Sequence, residues 1–132
     1  MRKDDCGILK FLKFELKFLE DGGYGRSPRT PWRPSLIFED SPTCLNFNHS
    51  DRPNPCTQCH LMQFVPLERR SESTPCRFIQ LTGKGETVDS LYRWGTQPEL
   101  EDALRKWLRE TIAWYEAELT IGTDRALTTY AA

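Results

Sequence analysis

Residues 1–20 read MRKDDCGILKFLKFELKFLE, and whether this stretch is strand or helix decides the fold. Its centre alternates. Leu12, Phe14, Leu16 and Phe18 fall on one face, with Lys13, Glu15 and Lys17 on the other. That is the period of two of a strand buried on one side, which puts Glu15 with the lysines on the wet face. A helical stripe of Ile8, Leu12, Leu16 and Leu19 competes for the same residues. Two phenylalanines lie off that stripe, and Gly22-Gly23 stops the segment soon after. The stretch therefore reads as a strand.

The rest of residues 1–95 continues that reading. Residues 21–35, DGGYGRSPRTPWRPS, hold three glycines and three prolines and form a turn-rich loop. Short strands are predicted at 36–38, around 44–47, at 61–67 with Pro66 at its end or on an edge, at 76–81 and at 87–94. The turn TGKGE at 82–86 joins the last two. Strands separated by Gly/Pro turns, with no helices between them, predict a mainly β fold: a small closed antiparallel barrel of about six strands.

The end of the chain changes character. Thr96-Gln97-Pro98-Glu99 is a capping box, and Leu100, Leu104, Trp107, Leu108, Ile112, Tyr115 and Leu119 then recur at helical spacing. An amphipathic helix is expected from about 97 to 119, with Glu101–Arg105 and Asp102–Lys106 as i,i+4 pairs on its wet side. Gly122 is expected to end it. The domain reading is a barrel over 1–95, a helix over 96–119 packed on it, and a tail over 120–132.

Composition limits the function classes. The chain has 132 residues, with 18 Lys/Arg against 19 Asp/Glu, and a mean hydropathy of -0.61. No run approaches the ~20 apolar residues that span a bilayer, and lysines interrupt every apolar run near the amino terminus, so no membrane or export segment is expected. The expected compartment is the cytoplasm, with reduced thiols. Charge is uneven: +3 over residues 1–35, -1 over 36–95 and -3 over 96–132. An anion-binding face could form only near the front of the chain.

Three pieces look familiar together: FELKFLEDGGYGRSP at 14–28, WRPSLIF at 32–38 and CRFIQLTGKGETVDSLYRW at 76–94. In order and approximate spacing, over roughly residues 12–94, they resemble the carboxy-terminal β-barrel (third domain) of translation elongation factor EF-Tu. The loop here reads GGYGR, with two extra residues before the arginine, and the family's Pro-Gly-Asp before its middle strand is missing. The terminal helix has no counterpart in that barrel. The resemblance implies binding rather than chemistry, with a protein partner foremost and tRNA or another structured RNA as the alternative. It carries over Arg26 as the loop arginine beside the tRNA backbone, with Arg29 and Arg33 nearby to neutralise phosphates. No GxxxxGK[ST] sequence is present, so no GTP binding by this chain is expected.

Cys56-Thr57-Gln58-Cys59-His60 is the CxxCH pattern of c-type haem attachment, which needs export that the amino terminus does not signal. The competing ligand is zinc. Cys44, His49, Cys56 and Cys59 supply four donors within 16 residues, with Cys76 or His60 as substitutes, and the CxxC pair can form one knuckle. The primary expectation is that these thiols are buried without a cofactor, and a structural zinc is the alternative. A Cys–His nucleophilic pair lacks an orienting acid, so the chain is read as not an enzyme. Trp32, Trp94 and Trp107 read as core and interface aromatics. Trp114 lies off the helical stripe and reads as an exposed binding anchor. The functional expectation is a non-enzymatic binding module linked to translation. An immunity or antitoxin-type protein that occludes a toxin's active site, and a zinc-stapled structural barrel, are the alternatives.

Overall fold

The computed structural model describes the backbone of residues 3–25, 36–47, 54–56 and 59–131, and side chains within those ranges from 7 to 119. Two long helices, α1 (Lys3–Glu20) and α3 (Gln97–Ala131), pack side by side. A short helix, α2 (Val88–Trp94), leads into α3. Glu20 meets Arg109 at 2.8 Å and Lys13 meets Glu116 at 3.4 Å, so α1 and α3 run antiparallel. The described residues between 36 and 86 connect them as tight turns and three 3₁₀ segments, His60–Phe64, Leu67–Arg69 and Pro75–Phe78.

The fold is therefore all-α, and the expected barrel is corrected: the described residues contain no β-strand, only an isolated bridge between Gln80 and Thr87. The first reversal is at α1. Ile8, Leu12, Glu15 and Leu19 are all buried, whereas Phe14 is 47% exposed. Helical spacing won because α3 offers it a complete apolar partner in Leu100, Leu104, Leu108, Ile112 and Tyr115. Burying such residues is worth about 1.5–3 kcal/mol each, more than the local alternation could recover on one side of a small sheet. Gly22-Gly23 closes the helix instead of a strand. Gly22 takes φ 81°, its N–H bonds Leu19 and the Gly23 N–H bonds Phe18, the Schellman pattern.

The second reversal is at 87–94. Thr87 accepts from the Ser90 N–H at 3.0 Å and Ser90 Oγ accepts from the Thr87 N–H at 2.8 Å, a reciprocal cap that starts α2 where a strand was expected. Residues 61–64 and 76–78 are 3₁₀ turns, and 36–38 and 44–47 are turns. Two of the three pieces behind the elongation-factor resemblance thus sit on helices and turns, and that resemblance falls with the barrel. The helix expected at 97–119 is present with its Thr96/Glu99 cap, but it continues past Gly122. Its described pairs are Arg105–Asp102 at 2.7 Å and Lys106–Glu110 at 4.0 Å rather than the i,i+4 pairs expected. Among the described residues no helix is long and apolar enough to cross a membrane.

Glu15 is the residue that attaches the turn-built segment to α1. Fully buried, it accepts a 2.7 Å bond from the Tyr24 hydroxyl and another from the Thr43 hydroxyl. Tyr24 in turn accepts from the Phe38 N–H at 3.0 Å. Phe38 sits buried at φ 67°, a left-handed conformation that a bulky residue adopts only when its surroundings impose it. Arg77 adds a two-pronged bond to Glu39, at 2.9 and 3.0 Å, which ties the Pro75–Phe78 turn to residues 36–41.

Candidate functional site

Four thiols line one small, partly enclosed cavity of about 30 Å³: Cys44, Cys56, Cys59 and Cys76, among Phe38, Leu61, Val65 and Pro75. They arrive from separate turns. Asn46 holds the ends of one loop together, its amide donating to the Asn54 carbonyl and accepting from the Asn54 N–H, both at 2.9 Å, which draws Cys44 towards Cys56. Each cysteine occupies the first position of a tight turn. The carbonyl of Cys44 accepts from Phe47, that of Cys56 from Cys59, that of Cys59 from Met62 and that of Cys76 from Ile79. The thiols are not disulfide-bonded.

Burial pushes the Cys76 thiol well above its ordinary value, and negative charge on Glu39, Cys59, Cys44 and Cys56 pushes the same way. Cys59 is raised too, first by burial, while the nearby Leu61 backbone amide opposes the shift. Shielded thiols held neutral are poor nucleophiles. His60 does not line the cavity; its ring meets Phe11 of α1 edge-on at 5.6 Å. As the chain stands, no three His, Cys, Asp or Glu side chains among the described residues are disposed to grip an ion together. The expected set of Cys44, His49, Cys56 and Cys59 is thus represented here by its three cysteines, with Cys76 as the fourth thiol. His49 lies outside the described residues.

A second feature is an open groove of about 400 Å³ between α3 and the His60–Phe64 turn, lined by Gln63, Phe64, Glu110, Thr111, Trp114 and Tyr115. The Tyr115 hydroxyl fixes the two walls by donating to Gln63 at 2.9 Å. Trp114 is 58% exposed and braced edge-on by Tyr115 at 4.9 Å. Arg26, Arg29 and Arg33, the expected phosphate-binding residues, and Trp32 lie outside the described residues. Trp107 is half-buried against Phe38 and Phe64, and Trp94, read with it as a core or interface aromatic, is 87% exposed and so not in the core. The burial of Glu15 was hidden by the alternation around it. Proline precedes Cys56 and Cys76 directly and stands two residues before Cys44, a repeated turn-former that marks the thiol turns in the sequence itself.

No protein-family model, curated protein or solved structure matches the chain.

Proposed function

We propose that the chain is a non-enzymatic docking module that binds a basic protein surface through the groove centred on Trp114. The observation that carries this reading is the exposed indole on the stretch ETIAWYEAEL, residues 110–119, which holds three glutamates and no lysine or arginine. A braced aromatic costs little entropy to bury and anchors interfaces. Its face attracts Lys or Arg side chains, and Glu110, which lines the groove, with Glu118 one helical turn beyond Trp114, supplies a rim complementary to a cationic partner. An inhibitor that covers the basic cleft of a toxin nuclease is the kind of role such a face suits.

The test is capture of partners from host lysate on the immobilised wild-type chain, a Trp114→Ala variant and a Glu110→Lys/Glu118→Lys variant, each with and without RNase. Far-UV circular dichroism checks that all three retain their helices. The reading requires a basic protein that survives RNase and salt-dependently leaves both variants, with Trp114→Ala weakening binding by about 2 kcal/mol or more. Retention of only RNA, or of the same proteins by all three chains, would end it.

A further inference from the structure

The described residues of 36–79 hold few regular elements, yet Cys44, the Cys56–Cys59 pair and Cys76, separated by 11 and 16 intervening residues, arrive at one cavity. Three turns distant in sequence pay loop-closure entropy to meet. Of the polar clasps already described, Asn46–Asn54 and Arg77–Glu39, the Asn46 and Glu39 members themselves line the cavity wall. The thiols are the one type of lining side chain that all three turns contribute.

We propose that Cys44, Cys56, Cys59 and Cys76 are the four ligands of a single zinc ion that staples the turn-built segment. Four thiolates are the donor set of a closed structural zinc site, with zinc–sulfur bonds of about 2.3 Å. The Cys56-x2-Cys59 pair forms one knuckle, with the Leu61 backbone amide on the side of the Cys59 sulfur, the kind of neighbour that stabilises a bound thiolate. Cys44 and Cys76 complete the tetrahedron from the other two turns. The thiols surround the cavity without meeting at a point. The proposal requires their side chains to turn inward on binding; a change of χ1 well carries a cysteine sulfur roughly 3 Å. The cavity's 30 Å³ suits one ion, since a single water needs about 10–15 Å³; an iron–sulfur cluster, with several metal and sulfide atoms, would need the walls to part.

Loading is a proton exchange with no change of oxidation state. Zn²⁺ forms four Zn–S bonds, four S–H bonds break, and four protons pass to solvent. The centre then carries two negative charges. Arg77, next in sequence to Cys76 and coupled to it electrostatically, offsets part of this charge, against the opposing carboxylate of Glu39, which pairs with Arg77 and lines the same cavity.

The experiment titrates the metal-free, reduced full-length chain with Co²⁺ alone and then displaces it with Zn²⁺. One Co²⁺ per chain, with the visible bands of tetrahedral cobalt, a charge-transfer band of four-thiolate intensity, and bleaching by one equivalent of zinc are expected. Cys59→Ser and Cys76→Ser should each weaken binding by roughly 100-fold or more, while His49→Ala leaves the spectrum unchanged. Should a serine variant lose its helical circular dichroism, the thiolate count from the wild-type band decides alone. Absence of saturable cobalt binding overturns the proposal, as does loss of the spectrum in His49→Ala, which would restore a histidine to the ligand set. Purification of the chain with iron and acid-labile sulfide in place of zinc overturns it equally.

Discussion

The α1–α3 pair and the segment between residues 36 and 79 are two regions of one core held by different means. The helices satisfy their own backbones and need only an apolar stripe facing another, as Leu12 and Leu104, both fully buried, illustrate. The turns cannot do this. They rely on long-range polar clasps, on the buried carboxylate of Glu15, and on a cavity into which four thiols face. A region built on periodicity tolerates local change as long as its stripe survives. A region built on a few specific bonds depends on each of them.

The largest effect that would sharpen this contrast is in the helical frame. Leu104→Ala removes a fully buried side chain from the α1–α3 seam and should cost about 2–5 kcal/mol in urea denaturation. Leu61→Ala, in the His60–Phe64 turn and equally apolar in its surroundings, should instead lower mainly the local opening free energy of 36–79, read by native-state hydrogen exchange. Uniform exchange across both regions in both variants would show that they unfold as one unit and break the comparison.

The next effect lies at the joint between the two regions. Tyr24→Phe deletes the hydroxyl that donates to Glu15 and accepts from the Phe38 N–H. The buried carboxylate loses one of its two hydroxyl partners, at an expected cost of about 1.5–3 kcal/mol. The pH dependence has a definite sign. Burial, followed by the charge of Glu15, raises Tyr24 far above its ordinary value of 10.0, and burial chiefly raises Tyr92 to about 12. The folded chain therefore keeps protons that the unfolded chain loses near pH 10. This contribution is fully present below pH 10 and is lost as pH rises beyond it, through about 12 for Tyr92. Alkaline denaturation of Tyr24→Phe should show a shallower slope above pH 10; an unchanged slope would mean that Tyr24 is not held protonated by this joint.

The same division explains what the sequence disclosed. The helix from Gln97 was legible because its cap and its stripe of Leu100, Leu104, Leu108 and Ile112 are both local signals. α1 was not, because LKFELKF satisfies periods of two and of 3.6 alike, and the deciding fact, an apolar face on α3 some 90 residues away, is not local. A glutamate in the buried stripe compounds the error, since its hydroxyl partners Tyr24 and Thr43 come from outside the helix. Thr87-Val88-Asp89-Ser90 did carry a cap, but with serine where glutamate is the usual signal. For the candidate site, spacing grouped Cys44, Cys56 and Cys59 with His49 and offered Cys76 as a substitute, while the place of Cys76 on the same cavity depended on the 36–79 segment folding back on itself. The exposure of Trp114 followed from its position off the stripe, a local signal again.

The smallest expected effect concerns the ion pairs that bridge the two helices. Arg109–Glu20 is 2.8 Å long and Lys13–Glu116 3.4 Å, with all four side chains at least 41% exposed. They mark the antiparallel register of α1 and α3 but do not impose it, because exposed pairs are screened by water and salt and must order long side chains. Arg109→Ala should therefore cost less than about 1 kcal/mol, and the difference from wild type should shrink further in high salt. A loss rivalling that of Leu104→Ala would reverse the assignment of causes within the frame. The helices would then be held in register by charge, and the distinction between a frame built on an apolar stripe and a segment built on specific polar bonds would no longer divide the molecule where it does.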